Sequence, residues 1–315
     1  EAALIAATAV TAVVGAAIAV GAPFEAQMST VQALSGATVQ ELEQLEEKAK
    51  ELGASTQFTA TEVGQAMEYM AMAGWKTGNM LEGISGVMNL AAASGEDLAT
   101  VSDIVTDSMT AFNMKAEEAG HFSDVLAAAA TNSNTTVSGM GEAFTYAASL
   151  AGALGYSIED VALATGLMAN SGIKGSKAGT ALRKIFSETT GGAKVAAAAF
   201  GEMTIATANS DGSMRELKDV IDDLRGAFSQ MTEEEKAANA ESIAGKTGMS
   251  GLLAIVNAAE EDYNKLAEAL NDCGGAAAYM ARIRLDNLSG DVTIAKSALE
   301  GLGIQIYEDL NPLLR

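Results

Sequence analysis

Residues Ser171–Phe186 read SGIKGSKAGTALRKIF, and the helix-like segment Ser157–Asn170 stands directly in front of them. The Ser171–Gly175 stretch reads as a turn that feeds a helix over Ala178–Ser187. The glycines and alanines of this stretch indicate close packing. Leu182, Ile185 and Phe186 form one apolar edge, and Lys174, Lys177, Arg183 and Lys184 form a solvated one. The stretch carries no catalytic apparatus.

The same economy of side chain holds across the 315 residues. The chain is 49% hydrophobic but only 5% aromatic, with 32 Gly and 15 Met, so its core is built from Ala, Leu and Met. These are helix-forming residues, and β-branched runs are scarce. Proline occurs only at Pro23 and Pro312, which leaves glycine to punctuate the elements between them. The pattern implies an all-α fold: a compact multi-helix domain of short packed helices, leading to a C-terminal helical rod.

Outward from the central stretch, apolar stripes and caps mark one helix after another. Thr38 with Glu41, Thr59 with Glu62, and Thr232 with Glu235 have the spacing of capping boxes. Ser94 with Asp97, and Ser157 with Asp160, open two further helices. Met140–Leu154 reads as helix, as do Met214–Phe228, Leu252–Asn271, Ala276–Leu288 and Asp291–Leu314. Phe24–Ser35 reads as a short mixed piece, and Met203–Ile205 as an extended one. A faint internal echo pairs Ser55–Met88 with Asn134–Met168, each reaching an Ala-Gly pair at the end of its first helix. The organisation expected is an apolar helix over 1–23, a helical core domain over 24–188, a second helical region over 189–290 and the start of a C-terminal rod over 291–315.

Charge and chemistry narrow the function classes. The formal net charge is −22, which disfavours direct nucleic-acid binding and anionic lipid, and favours basic partners. The single cysteine, Cys273, excludes an intrachain disulfide and has no basic activator near it in sequence. The single histidine, His121, lacks a second metal ligand nearby and reads as a partly buried, hydrogen-bonded residue. Trp75, at a helix end, reads as a packing anchor. Gly245-Lys246-Thr247 resembles the end of a phosphate loop, but Ala240 stands where that loop requires glycine and no strand precedes it. No catalytic, cofactor-binding or metal residues are assigned, and no enzyme activity or cofactor is expected. Ala2–Ala22 is almost wholly apolar and long enough to cross a bilayer. It lacks flanking Lys or Arg, and reads as a buried or assembly-facing helix or as a membrane-active segment.

Several stretches, taken in order, resemble the core domain of phage tail tape measure proteins of the TP901-1 type. They are FEAQMSTVQALSGAT (Phe24–Thr38), ELGASTQFTATEVGQAMEYMAMAGW (Glu51–Trp75), LAAASGEDL (Leu90–Leu98), MTAFNM (Met109–Met114) and GIKGSKAGTALRKIF (Gly172–Phe186). DGSMRELKDVIDDL (Asp211–Leu224) and ARIRLDNLSGDVTIAKSALEGLGI (Ala281–Ile304) follow. The resemblance implies a structural protein of a phage or prophage that sets tail length and scaffolds the tail tube from inside its lumen. It implies host cytoplasm during assembly and the virion afterwards. The implied partners are tail-tube protein, tail assembly chaperones, tail-tip or baseplate proteins and further copies of the chain. Help in genome delivery, with host membrane contact through Ala2–Ala22, belongs to the same expectation. The alternative is a membrane-perturbing or pore-forming protein acting through that stretch. Relatives are generally longer than 315 residues, so the chain reads as a fragment or as the ruler of a short tail.

Overall fold

The computed structural model describes the backbone of residues 2–314 and the side chains of residues 12–312. The fold is helical throughout, apart from one hairpin of two short strands among the described residues. The backbone contacts divide it into two compact units, Glu1–Thr106 with Tyr279–Arg315, and Asp107–Ala278.

The first unit opens with α1 (Ala2–Ser35), whose side chains at residues 2–11 lie outside the described residues. Helix α1 runs through Pro23 without a break. The proline costs one ladder hydrogen bond, and Phe24, Met28, Val31 and Ser35 carry the helix onward. All four are buried, at spacings of four, three and four residues, which makes a core-facing helical stripe of the segment expected to be a mixed piece. Helices α2 (Val39–Ser55) and α3 (Ala60–Met72) begin at the capping boxes Thr38/Glu41 and Thr59/Glu62, with both reciprocal bonds formed in each. Helix α4 (Thr77–Ser94) stops at Gly95, whose φ of 72° is the left-handed conformation that ends a helix. The next helix, α5 (Leu98–Ala111), is capped by Asp97 and not by Ser94: the Thr100 amide donates to Asp97 Oδ1 at 2.8 Å. Trp75 is buried as an anchor between α3 and α4.

The second unit holds α6 (Ala119–Asn132), α7 (Val137–Leu154), α8 (Ile158–Asn170) and α9 (Ser176–Thr189). The hairpin of β1 (Ala193–Ala197) and β2 (Gly201–Ile205) follows, then α10 (Leu217–Phe228), α11 (Glu233–Val256) and α12 (Glu260–Asn271). Every side chain from Val161 to Ala169 is buried, so α8 is the axis around which α6, α7, α9, α10, α11 and α12 pack. In the hairpin, Ala193, Val195 and Ala197 point inward while Lys194 and Ala196 point outward. The edge of β1 is closed by Asn239 of α11, which donates to the Ala196 carbonyl and accepts from the Ala196 amide, each at 2.7 Å.

Two sequence-based boundaries in this unit move. Leu252–Asn271 is two helices, because the Arg225 guanidinium donates to the Ile255 and Ala258 carbonyls at 3.1 and 2.9 Å and so caps the end of α11. The acidic run Glu260-Glu261-Asp262 then starts α12, where the helix dipole favours negative charge. The echo between the halves also loosens: Ala151-Gly152 lies inside α7, and Gly155 at φ 82° ends it. The chain closes with α13 (Ala276–Leu285) and α14 (Leu288–Leu314). The expected C-terminal rod is present as α14, a 27-residue helix that lies along α1 and α2 within the first unit.

Candidate functional site

The central stretch forms a three-helix sandwich, with α9 between α7 and α11. A Cβ on Gly179 would lie 2.2 Å from the Ala143 carbonyl oxygen, so only glycine allows α7 this close. On the other face, a Cβ on Gly251 of α11 would lie 2.8 Å from both the Ala181 Cβ and the Met168 sulfur. The basic edge stays in solvent, as expected. Lys174 donates to Asn134 Oδ1 at 2.8 Å, and Lys184 pairs with Glu188. Gly245-Lys246-Thr247 is a kink inside α11, with Gly245 at φ 63°, and not a strand-to-helix phosphate loop.

Helices α8, α10 and α12 border a cavity of about 470 Å³ whose lining includes His121, Glu159, Asp160, Arg215, Glu216 and Lys218. His121 stands on its rim, half exposed where partial burial was expected, and bonds Glu159 at 2.6 Å. Beside it, Asp160 serves two helix ends. It completes the capping box of α8 with Ser157, and it accepts the first amides of α10 from Leu217 and Lys218 at 3.3 and 3.1 Å. Burial raises the Asp160 carboxyl above its ordinary range, against the pull of those amides and of Ser157. Its contribution to stability is therefore present below the ordinary carboxylate pKa and is lost as pH rises through the raised value. Asp160→Asn removes the charge and keeps an acceptor for one of the two amides. In urea titrations from about pH 4 upward, the wild type should lose stability that Asp160→Asn retains. Parallel pH profiles for the two proteins would refute this.

Cys273 is buried, and burial, with Glu159 and Asp124 near, pushes its thiol up and away from reactivity. Among the described residues no group of three or more His, Cys, Asp or Glu is placed to hold a metal ion.

The most exposed apolar surface lies in the first unit, on α14. Its inner side carries the anchors. Tyr307 lays its ring over Gly21 of α1 and donates its hydroxyl to Glu25 at 2.5 Å. Ser297 donates to the Gln57 carbonyl at 2.9 Å, Glu300 accepts from Thr61 at 3.0 Å, and Lys50 pairs with Glu308 at 2.8 Å. These bonds fix which face of α14 turns outward. On that face Leu288 is 78% exposed, Val292 45%, Leu299 66% and Leu302 57%. An open groove of about 510 Å³ runs beside them, walled by Val13, Ala17 and Val20 of α1 and by Leu299, Leu302 and Ile306 of α14. Sequence reading missed this seam, because leucine and valine at helical spacing signal a buried stripe as readily as an exposed one.

A family model described as phage-related minor tail protein matches residues 46–245, from within α2 to the α11 kink. The chain belongs to the phage-related minor tail proteins. Among the relatives of this tail protein is a tape measure protein of Pneumococcus phage Dp-1, 38% identical over 299 residues, which are 95% of this chain and 26% of that protein. Another is a probable tape measure protein of Escherichia phage P2, 26% identical over 300 residues, which are 94% of this chain and 37% of that protein. The chain thus spans about a quarter to just over a third of the length of these relatives. No solved structure matches it. The family match takes in α7, α9 and the first half of α11, and leaves the α14 seam of this tail protein outside it.

Proposed function

We propose that the chain is the folded section of a tail tape measure protein of the TP901-1 type, a non-catalytic structural protein that sets tail length and scaffolds the tube. The observation that carries this reading is the 38% identity to a tape measure protein across 95% of the chain. On this reading the protein works in the host cytoplasm during assembly and then occupies the lumen of the tail. It meets tail-tube protein along its length, and assembly chaperones and tip or baseplate proteins at its ends. A helix converts residue count into distance at 1.5 Å per residue, so a helical ruler is read by its length. The net charge of −22 suits a basic tube lining and keeps DNA apart from the ruler. The test is an in-frame deletion in the gene, placed in the sequence by which the longer relatives exceed this chain's span, with tail length measured by electron microscopy. Tails should shorten by about 1.5 Å for each residue removed; tails of unchanged length would end the ruler reading.

A second reading is supported by α1. Among the described residues, Ala12–Ser35 is the one helical segment long and apolar enough to cross a membrane, and Val13 and Ile18 on it are exposed. In that role the helix would leave α14 and enter a bilayer during genome delivery. Liposome leakage that disappears when Ala2–Ala22 is removed is the expected result, and leakage unaffected by the removal would dismiss it.

A further inference from the structure

Charge is unevenly placed in the Asp107–Ala278 unit. Helix α10 carries Asp219, Asp222 and Asp223 against Lys218 and Arg225, and α12 carries four acids against Lys265. On α7, on α9 with the turn before it, and on α11 after its kink, the balance reverses. There five cations, Lys174, Lys177, Arg183, Lys184 and Lys246, stand against Glu142 and Glu188, and Glu188 is already paired with Lys184. In a chain of net charge −22, a positive face of this kind is matched to a negative partner.

Between α9 and α11 this face opens into a groove of about 430 Å³. Ile173 and Ala181 line it, with the ring of Tyr146, which is 41% exposed. Its polar lining is Lys177 and four hydroxyls, those of Ser176 and Thr180 on α9 and of Thr247 and Ser250 on α11. Among the described residues none of these five groups has a hydrogen-bond or ionic partner. Elsewhere in the unit, Ser133, Thr145 and Thr189 donate to the carbonyls four residues before them, at 2.7, 3.1 and 2.8 Å. The groove hydroxyls are left free to donate outward, and an ammonium beside them selects an acceptor that is also an anion.

We infer that this groove docks an acidic segment of a partner protein, a carboxylate next to an apolar side chain. The carboxylate meets the Lys177 ammonium and the hydroxyls of the two helices, and the apolar side chain lies against Ile173, Ala181 and Tyr146. Charge and extent select a protein segment over nucleic acid. A duplex carries one negative charge per ~1.7 Å of its axis, and it would continue past a groove of this size onto a chain of net charge −22. One or two carboxylates end where the positive face ends. Gly245-Lys246-Thr247 finds its use here: the kink at Gly245 starts the helical run that brings Thr247 and Ser250 to the groove.

This goes beyond the tail-length reading, and its test is separate: it uses this chain and a peptide, so neither result bears on the deletion experiment. The probe is a fluorescein-labelled peptide with Glu and Leu at helical spacing, followed by anisotropy at physiological ionic strength. A version with Gln for every Glu should bind about tenfold more weakly, and a version with Lys should not bind. Lys177→Glu should weaken the Glu peptide by about tenfold or more and admit the Lys peptide, a reversal that a merely structural role for Lys177 would not produce. Thr180→Val with Ser250→Ala should keep the helical circular dichroism and weaken binding severalfold. Lys265→Glu, on α12 and outside the positive face, should leave binding unchanged. The proposal is overturned if the Glu peptide does not bind, or if Lys265→Glu weakens it as much as Lys177→Glu does. It is equally overturned if a DNA duplex displaces the peptide at lower concentration than unlabelled peptide, which would assign the groove to nucleic acid.

Discussion

Gly179→Ala should destabilise the Asp107–Ala278 unit by about 2 kcal/mol, and Gly179→Val should prevent it from folding. In an exposed helix the alanine change would gain about 1 kcal/mol, so even the sign of the effect tests the packing. The new Cβ would stand 2.2 Å from the Ala143 carbonyl oxygen and 2.9 Å from the Tyr146 Cβ. The first of these is backbone within α7 and has no rotamer by which to move aside. Helices α7 and α9 would have to part along their contact, and on its other face α9 is blocked by α11, which closes on it through Gly248 and Gly251. Dense interiors transmit such a displacement because no void absorbs it. Urea unfolding followed by circular dichroism, with hydrogen exchange at the amides of α7 and α9, measures the effect. An alanine variant as stable as the wild type, with unchanged exchange in both helices, would show that the close approach does not govern this unit.

Phe144→Ala should cost about 3–5 kcal/mol. Phe144 is 1% exposed and is the middle ring of three. Phe112 meets it edge-on, with centroids 5.7 Å apart and planes at 80°, and Phe122 does so from another side at 6.4 Å and 79°. In a chain with so few aromatic rings, this cluster joins the buried rings Phe122 of α6 and Phe144 of α7 to the half-buried Phe112 that follows α5. Truncation removes the transfer energy of the ring, leaves a cavity between helices that cannot collapse, and ends both edge-to-face pairs. Phe144→Leu keeps most of the volume and should cost under about 1.5 kcal/mol. Equal losses from the leucine and alanine variants would mean that burial of the ring is not what stabilises the cluster.

Much of the helical framework could be read from local signals. Thr38, Thr59, Ser157 and Thr232 each find their acidic partner three residues on, because a capping box closes within a single turn and needs no tertiary help. The packing role of SGIKGSKAGTALRKIF was legible for a related reason: a run of glycine and alanine on a helix has little use except close approach. The breaks and extents were less legible. Helix α1 continues past Pro23 because Phe24, Met28 and Val31 find a core, and α11 ends at Val256 because Arg225, some thirty residues earlier, reaches its last carbonyls. Neither partner is near in sequence. Asp160 could be placed in its own capping box but not on the amides of α10, 57 and 58 residues away, and its raised pKa follows from that burial.

For this protein, then, composition and periodicity were enough to establish helices, their caps, the small-residue core and the family whose signatures recur in order. These depend on contacts within a few turns of one helix, which the order of residues specifies directly. Only the tertiary structure decided which apolar stripe is core and which is surface. The stripe of α8 and the stripe of α14 look alike as spacing, yet Val161–Ala169 is buried on every side while Leu288, Leu299 and Leu302 face solvent. Tyr307, Ser297, Glu300 and Glu308 settle the matter for α14 by engaging α1, α2 and the α2–α3 region. Those bonds choose the face that turns inward, and so leave the apolar seam outside.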